Sequence, residues 1–167
     1  MTGDDAETPV FNPNDYMTRG MLVTALYHIE GNPDVTGMQN IFNDVADNMW
    51  YSDALIWASA NGIILGYGNN LFGPDDPVTR EQLAAILARY ADFLNISPPD
   101  LREYAGFNDD SDIALYAKNA VIQLYKAGII EGKPENIFNP NESATRAEVA
   151  VVLRGFMEMT ELALSHP

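Results

Sequence analysis

The sequence predicts an all-α fold of tandem helix–loop–helix repeats, on three observations. First, one loop-to-helix junction occurs three times, at 11–29 (FNPNDYMTRGMLVTALYHI), 72–91 (FGPDDPVTREQLAAILARYA) and 138–156 (FNPNESATRAEVAVVLRGF). In each copy a Phe stands two residues before a Pro and seven before a Thr-Arg pair, and an apolar run of helical period follows. Second, Arg19, Arg80 and Arg146 lie 61 and 66 residues apart, and other landmarks keep step: Phe42-Asn43-Asp44 recurs as Phe107-Asn108-Asp109, and Gly62-Ile63-Ile64 as Gly128-Ile129-Ile130. Self-similarity of this kind marks units that bury their apolar faces on one another. Third, hydrophobic residues make up 47% of the 167, enough for one domain with a core.

Each full unit has two helical pieces. The first opens near Ser52, which is placed to cap, with Asp53 suited to the positive end of the helix dipole. Ala54, Leu55 and Ala58 keep helical spacing, and Gly62 supplies the left-handed residue that ends the helix. In the last unit 119–126 plays this part and Gly128 ends it, with Tyr116 in the place of Trp50 and Asp110 in that of Val45. The connecting loop holds a Gly and a Phe six apart (Gly66 and Phe72, Gly132 and Phe138), and the Phe is expected to plug the core. The second helix opens at Thr79 or Thr145. Thr145-Arg146-Ala147-Glu148 is a capping box, and Thr79-Arg80-Glu81-Gln82 is the same device with Gln, whereas Thr18-Arg19-Gly20-Met21 keeps only the cap. The expected buried stripes are Met21, Leu22, Ala25, Leu26 and Ile29; Leu83, Ile86, Leu87 and Tyr90; and Val149, Val152, Leu153 and Phe156. The first unit is incomplete, with Gly3 as its loop glycine. The chain therefore reads as one domain, 1–167, with partial repeat 1 at 1–31, repeat 2 at 42–94 and repeat 3 at 107–158.

Charge and motif content narrow the function. Twenty-four acidic residues against nine Lys and Arg give a net charge of −15, which opposes nucleic-acid binding and adhesion to anionic lipid. No apolar run approaches the roughly 18 residues of a membrane span, and the polar stretch after Met1 carries no export signal. Such a chain is either cytosolic or a trimmed piece of an exported protein. Cysteine is absent, which removes disulfides, thiolate nucleophiles and Cys-based zinc sites. The acidic run 109–112 lacks the sixth-position Gly and closing Glu of a calcium loop. His28 and His166 are the only histidines, and no nucleophile elbow, zinc-protease or phosphate-loop motif occurs. The sequence thus calls for no enzyme, no cofactor and no metal.

The pattern Phe-x-Asp, Trp-Tyr, Gly-Ile, Phe-x-Pro and Thr-Arg resembles the S-layer homology domain family, from about residue 3 to 157. The resemblance implies that the second helices meet in a central bundle about a pseudo-threefold axis, with grooves between neighbouring units. It also implies an extracellular, non-covalent anchor on the bacterial cell wall whose ligand is a secondary cell-wall polysaccharide, often ending in pyruvylated N-acetylmannosamine. The glycan-binding residues so implied are Arg80, Arg146 and Arg19 of the Thr-Arg motifs with Thr79 and Thr145, Asp44 and Asp109, Trp50 (with Tyr116 as a weaker counterpart), Gly66 and Gly132. Arg80 and Arg146 have complete units behind them and are favoured over Arg19.

Physical chemistry supports that reading independently. A pyruvyl ketal carries a carboxylate, which a guanidinium meets with paired hydrogen bonds. At N1 of a helix the arginines would be joined by free backbone N–H groups. At about 0.15 M salt the net charge is screened within roughly 8 Å, so a contacting Arg prevails. The structural alternatives are arginines paired to neighbouring acids, aspartates that cap turns, and tryptophans in the core, Trp57 above all. The alternative function is a helical-repeat protein–protein module of surface-layer assembly. In that case the incomplete first unit would leave the central helices short of cover and favour a homo-oligomer.

Overall fold

The structure, a computed structural model, describes residues 12–165. It holds five α-helices: α1 (Arg19–Ile29), α2 (Ser52–Ala60), α3 (Arg80–Phe93), α4 (Leu115–Lys126) and α5 (Arg146–Ser165), with 3₁₀ turns at Asp110–Asp112 and Pro134–Asn136. The expected roles of Gly3, Phe11 and His166 lie outside the described residues.

The Thr-Arg junctions open α1, α3 and α5 as their sequences dictate. Thr18 Oγ1 accepts the Met21 amide at 3.1 Å. Around α3 the box is complete, with Gln82 N–H donating to Thr79 Oγ1 (3.3 Å) and Thr79 N–H to Gln82 Oε1 (3.1 Å). Thr145 and Glu148 repeat it at 3.2 and 2.8 Å. The amides of N1 and N2, which have no partner inside a helix, are satisfied by another unit. Arg19 and Gly20 donate to Asp76 and Pro74 carbonyls (2.9 and 2.8 Å), Arg80 and Glu81 to Glu142 and Pro140 (2.9 and 3.1 Å), Arg146 and Ala147 to Asp15 and Pro13 (2.8 and 3.0 Å). The expectation of free amides beside the arginines is therefore corrected: neighbouring loops occupy them. Just upstream, Met17 N–H donates to the Ala144 carbonyl, Ala144 N–H to Val78 and Val78 N–H to Met17, at 3.0, 2.9 and 2.8 Å. Three equivalent positions of three units thus close a ring of backbone bonds.

The first helices differ from sequence expectation in the cap of α2 and in the start of α4. Ser52 does not cap α2. The helix begins at Ser52 itself with Tyr51 as N-cap, and the Ser52 hydroxyl accepts from Met49 N–H and donates to the Ala46 carbonyl, closing the preceding turn instead. Helix α4 begins at Leu115, not at 119, although Ala114 has no side chain that can cap. The missing acceptor comes from α3: Glu81 Oε2 takes the Ala114 amide at 2.9 Å and Oε1 the Tyr116 hydroxyl at 3.0 Å. Gly62 (φ +70°) and Gly128 (φ +73°) end α2 and α4 as expected.

Packing runs across unit boundaries. Helix α1 lies along α2, and α3 along α4, so the second helix of one unit pairs with the first helix of the next. Phe72 and Phe138 are buried and ring-packed on Phe42 and Phe107 (centroids 5.3 and 5.4 Å). Trp57 is core, against Tyr27 and edge-on to Phe93. The stripe of α3 is buried as predicted; in α1 Leu22 and Leu26 are buried, but Met21 and Ala25 are only partly so and Ile29 is 41% exposed, while Val23 and Tyr27 are buried. On α5, Val149 and Phe156 are buried, Val152 and Leu153 only partly.

Candidate functional site: the inter-repeat grooves

Arg19 and Arg80 each reach over the loop of the following unit. Arg19 Nε donates to the Phe72 carbonyl at 2.9 Å, and its Nη2 approaches the Leu65 carbonyl at 3.5 Å. Its Cζ lies 4.3 Å from the Phe72 ring centroid and 4.4 Å from that of Tyr67. Arg80 repeats the arrangement on Phe138 (2.7 Å) and Glu131 (2.8 Å), over the Phe138 ring. One edge of each guanidinium thus clamps a loop, and a ring covers one face. Burial lowers the pKa of both below the usual guanidinium range, and both stay protonated.

The surroundings of the three arginines differ. Arg19 borders a hollow of about 390 Å³ whose walls include Gly66 and Tyr67 of the loop, Gln82, Ile86 and Arg89 of α3, and Tyr116 at the head of α4. Tyr67 and Tyr116 are each 53% exposed. Tyr67 donates its hydroxyl to Asp76 Oδ2 at 3.0 Å, which occupies the nearby acid. Burial, followed by the charge of Glu81, pushes Tyr116 up to about 12, so it is a hydrogen-bond donor across the neutral range. Burial also lowers Arg89. Six of the nine basic residues lie within ion-pair distance of a described carboxylate. Arg19 and Arg89 pair with none among the described residues, and both line this hollow.

At Arg80 the space shrinks to about 30 Å³. Glu148 Oε1 lies 3.9 Å from Arg80 Nη1 and 3.5 Å from Lys133 Nζ, and Lys133 also pairs with Glu142. Arg146, half-buried and engaged, borders a hollow of about 300 Å³ whose other walls are Met17, Met21, Trp50, Val149, Ala150 and Leu153. A larger apolar hollow, about 490 Å³ between the C-terminal part of α5 and the 97–101 segment, contains no basic residue.

The remaining site residues hold the grooves in shape. Asp44 accepts the amides of Phe72 (2.9 Å) and Gly73 (2.7 Å), and Asp109 those of Phe138 and Asn139 (both 2.7 Å). Both aspartates therefore cap the loop that carries the plugging Phe, about 30 residues away, rather than the helix beside them. A Cβ on Gly66 would sit 2.4 Å from the Leu71 oxygen and 2.9 Å from the Phe42 ring, and one on Gly132 2.7 Å from Phe107, so both glycines permit close approach. Trp50, 58% exposed, belongs to the groove of Arg146, and Tyr116 to that of Arg19. Sequence reasoning missed Arg89, Tyr67 and Gln82 as groove residues. Helical spacing was the available signal, since 82, 86 and 89 share one face of α3. Among the described residues no group of three His, Asp or Glu is placed to hold a metal ion, and no helix is long and apolar enough to cross a membrane.

Helical units joined by capped loops, with arginines set in the grooves between them, describe a repeat-built helical module. The sequence model of the S-layer homology domain matches residues 41–84 and 106–150. The chain belongs to the S-layer homology domain family. It is 40% identical over 117 residues to the exoglucanase XynX of Acetivibrio thermocellus, covering 70% of this chain and 11% of that protein. Against the surface-layer 125 kDa protein of Lysinibacillus sphaericus it is 31% identical over 154 residues (89% and 12%). Against the cellulosome-anchoring protein of A. thermocellus it is 22% identical over 152 residues (89% and 34%). The chain thus spans a small part of the curated relatives it matches. Family and relatives place it at the extracellular cell surface, in the role of a surface-anchoring module.

Proposed function

We propose that the chain anchors its parent protein by binding an anionic, pyruvylated secondary cell-wall polysaccharide, without catalysis, and that the groove of Arg19 is the principal site. One observation carries the reading. In a chain of net charge −15, the two arginines without a described acid partner share one hollow. Holding two like charges together costs energy unless an anion joins them; Arg19 is only 4% exposed and Arg89 partly buried, and a guanidinium shielded from water bonds a carboxylate more strongly than an exposed one. The half-exposed rings of Tyr67 and Tyr116 offer flat faces to the apolar side of a sugar. This assignment favours Arg19 over Arg80, which faces Glu148 in a space of only about 30 Å³, and over Arg146, whose hollow is otherwise walled, among the described residues, by apolar side chains.

The ring of bonds through Met17, Val78 and Ala144 supports a pseudo-threefold arrangement of α1, α3 and α5, which would set three such grooves around one axis. Sedimentation with purified wall sacculi, before and after removal of the secondary polymer, tests the function. Arg89→Ala, chosen because Arg89 clamps no loop, should weaken binding about tenfold, equivalent to roughly 1.4 kcal/mol. Equal sedimentation with stripped walls overturns the reading.

A further inference from the structure

The helix pairs α1–α2 and α3–α4 are built alike, yet they hold their groove aromatics, Trp50 and Tyr116, by different means. The difference starts at the second residue of the helix that follows the Thr-Arg cap, Gly20 in α1 and Glu81 in α3. We propose that Glu81, which does not itself line the hollow of Arg19, is a positioning residue of that site: by accepting the Tyr116 hydroxyl it holds the Tyr116 ring as a fixed wall for the sugar. The proposal rests on the polysaccharide reading and adds to it a residue that acts from behind the groove.

In the α1–α2 pair a missing side chain makes room for a ring. A Cβ on Gly20 would sit 2.9 Å from the Pro74 oxygen and 3.4 Å from the Tyr51 ring. Tyr51 is buried there, and Trp50 leans on it edge-on, with centroids 5.0 Å apart. In the α3–α4 pair the same two places hold Tyr116 and Ala117, so the supporting ring is gone. Glu81 takes over the support. Its Oε2 accepts the Ala114 amide at 2.9 Å and its Oε1 the Tyr116 hydroxyl at 3.0 Å. Capping α4 needs one oxygen; the second is used on Tyr116. The carboxylate is 6% exposed and bound at both oxygens, whereas Tyr116 is half-exposed on the first turn of α4. A ring so placed, with nothing to hold it, samples several rotamers. Fixing it beforehand removes an ordering cost from binding. Because Gln82, Ile86 and Arg89 of α3 line the same hollow, Glu81 ties its α4 wall to its α3 wall. As a charge alone Glu81 would repel an anionic ligand, so positioning and plain electrostatics predict opposite effects of neutralising it.

The test titrates the methyl glycoside of pyruvylated N-acetylmannosamine into the full chain by calorimetry and reads the Tyr116 χ1 rotamer from three-bond NMR couplings to its ring carbon. The unaltered chain should show one Tyr116 rotamer. Glu81→Gln removes the charge and leaves one acceptor oxygen for two donors. Tyr116 should then average over rotamers, and the glycoside should bind about fivefold more weakly. Tyr116→Phe keeps the ring and loses only the hydroxyl; it should weaken binding equally, and the double variant no further. Ala114→Ser, added to Glu81→Gln, gives α4 a local cap, so part of the melting temperature should return and none of the affinity. Unchanged or tighter binding in Glu81→Gln, a single Tyr116 rotamer in that variant, additive losses in the double variant, or affinity restored by Ala114→Ser each overturn the inference. Rotamer averaging in Glu81→Gln, with no glycoside binding by the unaltered chain, supports the positioning while overturning the polysaccharide reading.

Discussion

Replacing Glu81 by alanine strips the start of α4 of the acceptor that fixes it. The side chain is buried in α3 and receives the Ala114 amide and the Tyr116 hydroxyl. A hydrogen bond to an ionised group is worth about 1.5–3 kcal/mol. The Tyr116 bond counts for less, because its half-exposed hydroxyl finds water in the variant. The Ala114 bond is itself the helix-start acceptor, so the cap makes no separate contribution, and removing a buried charge returns part of its desolvation cost. The net loss should be about 2 kcal/mol. At roughly 2–4 °C per kcal/mol for a chain of this size, the melting temperature falls by about 4–8 °C. Urea unfolding measures the first quantity and calorimetry the second. Two local readouts separate this cause from general damage. The amides of Ala117 and Lys118, which bond to the Ala114 carbonyl, should lose hydrogen-exchange protection. Ultraviolet titration should also show Tyr116 falling from about 12 toward the ordinary 10. A loss below about 1 kcal/mol, or an unmoved Tyr116, would refute the claim that α4 is capped from α3.

Two further outcomes test the groove walls. Gly66→Ala forces a Cβ to 2.4 Å from a backbone oxygen that already accepts the Tyr67 amide, so thermal unfolding should register about 1–3 kcal/mol of overpacking. Glu148 titrates below its ordinary 4.5: burial opposes this, but the Thr145 bonds and the charges of Lys133 and Arg80 outweigh it. Its folded value is depressed, so its contribution is present above about pH 4.5 and lost as pH falls through the folded value. Glu148→Gln should thus cost stability at pH 7, roughly 0.5–1 kcal/mol for a group a third exposed. The difference should close near pH 3 in parallel urea titrations. A gap that persists in acid would assign the effect to something other than charge.

The helix starts at Thr18, Thr79 and Thr145 were legible because a cap is a local device: its donor and acceptor lie three residues apart and carry their own sequence signature. The same holds for the endings at Gly62 and Gly128, and for Phe72 and Phe138, whose period betrays their burial. The cap of α2 and the start of α4 differ from the sequence expectation for the opposite reason. Ser52 has a capping side chain but spends it on Ala46 and Met49, and Ala114 has none but borrows Glu81 from 33 residues away. Asp44 and Asp109 were visible as a recurring pair, yet their amide partners lie in a loop that only folding brings near.

The sequence by itself determined the repeat, the helical class, the family and the identity of the arginines, because periodicity and capping are encoded within a few residues. Only the tertiary structure decided what surrounds each arginine. Arg19 and Arg80 work on the loop of the next unit, so their partners come from residues more than 40 positions away. Three Thr-Arg pairs that look alike in sequence thus meet a neutral amide, a carboxylate and a thioether.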